Sequence, residues 1–128
     1  MMNDFDITAI EQEVLNAVKA LNISKRVYVN RPKSAPQAQD YVVVNVKGGV
    51  RDQAAYGECL IYIYLFAKDV ENMKNGKKLS VMYQKLRQGL PPSTDKLLLD
   101  TEPNILGDTP DDFGFHARII NIKTIIKV

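Results

Sequence analysis

Residues 58–69 read "ECLIYIYLFAKD". Successive side chains of an extended chain point to opposite faces. Ile61, Ile63 and Leu65 therefore face one way, and Tyr62, Tyr64 and Phe66 face the other. A strand with one wet face alternates apolar with polar. This stretch is apolar on both sides, aliphatic on one and aromatic on the other. It predicts a strand over about 58–67, in a sheet whose aliphatic face is covered by helices. It leaves open what covers the aromatic face.

Two helices are predicted. In residues 8–21, Ile7, Ile10, Val14, Val18 and Leu21 recur at spacings of three and four, which builds one apolar stripe. Thr8 with Glu11 fits a capping box, and Asn22 is an end signal. In "NGKKLSVMYQKLRQGL", 75–90, Leu79, Met82, Tyr83 and Leu86 share a face, while Gly89 and Pro91–Pro92 stop the helix.

Other strands are predicted at 25–30 ("KRVYVN") and 41–46 ("YVVVNV"), both rich in β-branched residues. Pro32 and Pro36 make 31–40 a loop, since neither can donate to a sheet ladder. "KGGVRDQAAYG", 47–57, reads as the long tip of an antiparallel hairpin. Residues 91–114 read as a long connection with a short strand at "KLLLD", 96–100. The last strand spans 113–128. Its apolar phase flips at Ile119–Ile120, which implies either a β-bulge there or cover on both faces. The expected architecture is a single α+β domain over 1–128. It is a two-layer sandwich with a roughly four-stranded mixed or mainly antiparallel sheet and two helices on one face, in the order α-β-β-β-α-β.

Composition sets bounds. The 128 residues with 45% hydrophobic content suit one core. A net charge of +2 is too small to imply a nucleic-acid ligand by itself. The N-terminal stretch carries Asp4, Asp6, Glu11 and Glu13 with no positive region, unlike a signal peptide. No apolar run approaches the roughly 20 residues that span a bilayer. The expectation is a soluble protein of the cytoplasm.

No catalytic, cofactor or metal motif is recognised. Cys59 and His116 are the sole cysteine and histidine. A nucleophilic pair is conceivable, but Cys59 has the parity of Ile61 and Ile63, which predicts a small buried side chain. The acidic residues Asp100, Glu102, Asp108, Asp111 and Asp112 could offer oxygens to a divalent cation. Their spacing does not match an EF-hand, and a solvated loop is the simpler reading. "NGKKLS" lacks the first glycine of a phosphate loop, because that position is Glu71. Lys77, Lys78, Lys85 and Arg87 read as a solvated helix face rather than a DNA-binding one.

The aromatic face remains. Burying Tyr62, Tyr64 and Phe66 is worth roughly 1.5–3 kcal/mol each, and Tyr41 and Val43 extend the patch. Large exposed apolar patches mark interaction surfaces. The cover is either the chain's own 31–40 or 91–114 segment, or another subunit.

The succession of an opening helix, "VYVNRPKSAPQAQDYVVVNV", the tip "KGGVRDQAAYG", "IYIYLFAKD", the helix "NGKKLSVMYQKLRQGL" and an isoleucine-rich last strand resembles the tail-terminator and tail-completion proteins of long-tailed bacteriophages and prophages. The resemblance lies in element order and strand flavour and covers nearly the whole chain. It implies a non-enzymatic protein of the virion and the host cytoplasm, with no specific nucleic acid and no cofactor. It also implies a ring, commonly a hexamer, that joins tail-tube and head-connector proteins, with heterologous contacts that close on rotation. Parity and resemblance together place Tyr62, Tyr64, Phe66 and Tyr41 at an interface. Lys47 and Arg51 then project toward the tube, and Asp108, Asp111 and Asp112 face a neighbour. The competing expectations are a small metal-dependent nuclease using the acidic segment and a nucleic-acid-binding module using the basic helix.

Overall fold

A computed structural model describes residues 7–30, 38–52, 56–91 and 97–127. The elements run α1 (Ile7–Lys19), β1 (Val27–Val29), β2 (Asp40–Asp52), β3 (Tyr56–Lys68), α2 (Gly76–Gln88), β4 (Leu97–Leu99), β5 (Asn104–Pro110) and β6 (Phe115–Lys127). The α+β class stands. The sheet has six strands rather than about four: β4 is the short strand expected at 96–100, and β5 lies in what reads as a connection.

The sheet order is β1-β2-β3-β6, with β4 and β5 both on the far edge of β6. β1 pairs parallel with β2, and all other pairings are antiparallel. β4 lies against Thr124–Ile126 and β5 against His116–Asn121, so together they form one interrupted edge strand.

Both helices lie on the aliphatic face. Ile10, Val14 and Val18 of α1 and Leu79, Met82 and Leu86 of α2 share one core with Val42, Val44, Ile61, Ile63, Leu65, Ile120 and Ile122. Asn22 follows α1 at φ 56, as a left-handed C-terminal residue does. Thr8 lies in the first described turn of α1, which begins at Ile7; the residues ahead of it lie outside the described set. The Asn75 side chain caps α2 by accepting from the Lys78 N–H at 3.1 Å. This gives "NGKKLS" a structural purpose.

One further expectation is corrected, and one left open is decided for cover on both faces. Residues 47–57 are not a long tip. β2 runs to Asp52 and β3 begins at Tyr56, with a register irregularity between Lys47 and Arg51 that contains Gly48 and Gly49. The turn itself, 53–55, lies outside the described residues, as does the segment with Pro32 and Pro36. No bulge interrupts β6, whose pairing with β3 is continuous from Phe115 to Lys127. The bulge is in β5, between Ile105 and Gly107. β6 changes apolar phase because both of its faces are covered near its start: Ile120 lies under the helices, while Phe115 and Ala117 join a second cluster.

Candidate functional site

The second cluster is the aromatic face. Tyr41 and Phe66 stack with ring centroids 4.3 Å apart. Phe115 meets Tyr41 edge-on at 5.2 Å and Tyr28 does so at 6.0 Å. Register explains the grouping, because Tyr41 pairs with Phe66 and Phe66 with Ala117 across the sheet. Tyr41 and Phe66, expected to look outward, are 0% and 3% exposed. They are therefore core, and the chain covers this end of its own second face.

The other end is more open. Tyr62 and Tyr64 are half-buried and stack on each other at 6.3 Å. The exposed Lys47 holds its ammonium 5.0 Å from the Tyr62 ring centre and 5.4 Å from that of Tyr64. A cation over ring faces is favourable and needs no fixed hydrogen-bond geometry. The same face continues through Leu60 to Ile125 and Leu98, which are 40% and 50% exposed. An open groove of about 770 Å³ runs over this end between Lys47, Leu60, Leu98, Lys123 and Ile125. Leu60, Leu98 and Ile125 were not singled out from sequence. Their signal was parity: residues 60, 62 and 64 alternate onto one face, and Ile125 shares the phase of Phe115 and Ala117.

The acidic residues have separate occupations. Asp108 faces the helix side and accepts from Arg118 Nε and Nη2 at 2.8 and 2.9 Å. Lys74 adds a contact at 3.1 Å. The Arg118 hydrogen bonds hold the Asp108 carboxyl below its ordinary pKa, Lys74 assisting against the effect of burial. Asp111 Oδ1 accepts from the Phe113 and Phe115 N–H groups and so builds the β5–β6 turn. Asp100 accepts from the Glu102 N–H, and Asp112 is exposed. Among the described residues, no group of three His, Cys, Asp or Glu side chains could hold a metal ion. The Arg51 backbone pairs with Glu58, and its side chain lies outside the described set.

Cys59 and His116 do not meet. Cys59 is opposite Thr124 and His116 is opposite Ala67, eight residues along β3. At roughly 3.3 Å per residue the two are about 26 Å apart. Burial pushes the Cys59 thiol up to about 11. His116 Nδ1 lies 2.7 Å from Asp69 Oδ1, a contact that ties the end of β3 to the start of β6.

No family model and no curated protein matches the chain. Solved structures do match its shape. One chain, described only by a sequence identifier, superposes with a TM-score of 0.62 at 13% identity, covering 100% of this chain and 97% of its own. A second, from the virion of a native gene transfer agent (GTA) particle, gives a TM-score of 0.60 at 11% identity, covering 97% and 99%. At such identities the likeness is one of fold, and it extends over the full length of both chains. No described helix is long and apolar enough to cross a membrane.

Proposed function

We propose that this chain is a non-enzymatic structural subunit of a phage-type virion, and within that class a tail-terminator or tail-completion subunit that forms a ring at the head–tail junction. The observation that carries the reading is the end-to-end likeness in fold to a chain of a virion particle. The element order and strand flavour that resemble tail terminators support the same class independently. The open end of the second face, Tyr62 and Tyr64 with Leu60, Ile125 and Leu98, supplies apolar surface whose burial would reward association. In this reading the partners are further copies of the chain, the tail tube and the head connector, and the protein resides in the host cytoplasm and then in the virion.

Electron microscopy of particles assembled with and without the chain tests the reading. With it, tails should end in a ring and join heads. Without it, tails of irregular length or unjoined heads should accumulate. Particles that assemble normally without the chain would exclude the role.

A further inference from the structure

The helix side of the sheet carries a second cavity, of about 480 Å³, between the α1–β1 turn, the start of β2 and α2. Among the described residues, Lys25, Arg26, Lys78 and Lys85 line it against one carboxylate, Asp40. Lys78 is spent on Asp40 at 2.9 Å. The cavity therefore presents a cationic excess to whatever enters it. Val81, one turn after Lys78 on α2, is 46% exposed and adds apolar surface to that helix.

The opposite edge of the sheet has the complementary character. Residues 97–113 contain no lysine or arginine. At their end the β5–β6 turn exposes Asp112 beside Phe113, which is 39% exposed. The turn is rigid: Asp111 Oδ1 accepts two backbone N–H groups, the Asp111 N–H donates to Phe115 O at 2.9 Å, and Gly114 takes the left-handed φ of 83°. A preformed turn loses little entropy when it docks.

The registers put the two features at the same end of the sheet. Asp40 pairs with Ala67, Ala67 with His116, and His116 with Pro110. The cavity is thus at the β2 end of this row and the acidic turn is beyond its β5 end, about 14 Å away by strand spacing. A head-to-tail contact between identical subunits joins two different surfaces of the chain, and opposite charges on opposite flanks suit such a contact.

We propose that the Asp112–Phe113 turn of one copy docks in the Lys25–Arg26–Lys85 cavity of the next copy, and that this contact sets the direction of the ring. The inference rests on the ring reading above and specifies which surfaces meet. Asp112 faces the cations, and the Phe113 ring packs against the lysine stems and the exposed side of α2. Asp111 and Lys78 keep their structural partners and only shape the two surfaces.

Charge reversal tests the contact. Sedimentation velocity over a concentration series is measured for the wild-type chain, Asp112→Lys, Lys85→Glu and the double variant, with circular dichroism to verify the fold. Each single reversal is expected to weaken self-association by about tenfold or more, and the double variant to recover most of it. Phe113→Ala should weaken association at unchanged salt dependence. Single variants that associate like wild type, or a double variant as weak as the singles together, would overturn this contact and leave the virion reading standing. A wild-type chain that stays monomeric at every concentration would also overturn it. The virion reading is decided separately, by the particles assembled with and without the chain.

Discussion

Arg118 is carried by β6 onto the face that the helices cover, opposite Leu65. A guanidinium there needs a fixed acceptor, and Asp108 supplies both carboxylate oxygens. Asp108→Ala should therefore cost about 2–3 kcal/mol in urea unfolding, since it leaves a half-buried charge unpaired. Arg118→Lys should lose part of the same stabilisation, because an ammonium cannot form the same planar fork. Cys59 shows the opposite case, a polar atom made inert by burial. It is 9% exposed, and burial holds its thiol at about 11. It should react negligibly with a disulfide reagent at pH 8 in the folded chain and fully in denaturant. Its parity with Ile61 was enough to read this from sequence. The Arg118–Asp108 pair was not legible, because the bulge in β5 decides which residue stands opposite Arg118.

At the scale of the element, β3 divides its aromatic face in two. Phe66 is clamped between Tyr41 and the neighbouring β6, whereas Tyr62 and Tyr64 are half-buried under Lys47. Phe66→Ala should cost about 3–5 kcal/mol as a core truncation. Tyr62→Ser with Tyr64→Ser should cost less per residue and reduce self-association in light scattering, at a retained fold. Unfolding by the tyrosine pair would show instead that this end also serves the subunit's own core. The alternation of β3 was plain in the sequence; the division was not, because it depends on Phe115 arriving through register from the far end of the chain. β5 was missed for a related reason. "NILGDTP" has glycine, proline and no alternation, and an edge strand exposed over most of its length needs none. The clue was the short "DDFG" turn before β6, which joins two strands as a hairpin.

At the scale of the molecule, Asp40 and Asp108 secure the helix layer to the sheet among the described residues. Asp40 ties the start of β2 to Lys78 of α2, and Asp108 ties β5 to Arg118 and to Lys74 ahead of α2. Burial pushes the Asp40 carboxyl up, but hydrogen bonds from Ser24 and Lys78 and the charges of Lys78 and Lys85 outweigh it, so its pKa is lowered. Asp108 is lowered as well, chiefly by Arg118. A carboxyl depressed in the folded state adds stability that is complete above the unfolded value and lost as pH falls through the folded one. The urea midpoint should be flat above about pH 5 and fall below about pH 4 on account of these groups. Asp40→Asn with Asp108→Asn should lower the plateau and flatten the acid slope. An acid slope unchanged in that variant would place the titration elsewhere.

The sequence by itself determined the α+β class, the two amphipathic helices and the burial of Ile61, Ile63, Leu65 and Cys59. These follow from periodicities of 3.6 and 2, which are properties of contiguous residues. Only the tertiary structure decided the six-stranded sheet, the inward fate of Tyr41 and Phe66, and the placing of a cationic cavity and an acidic turn at one level of the sheet. Those depend on which strands lie side by side and in what register. That choice is made by contacts between residues far apart in the chain, and no local pattern encodes it.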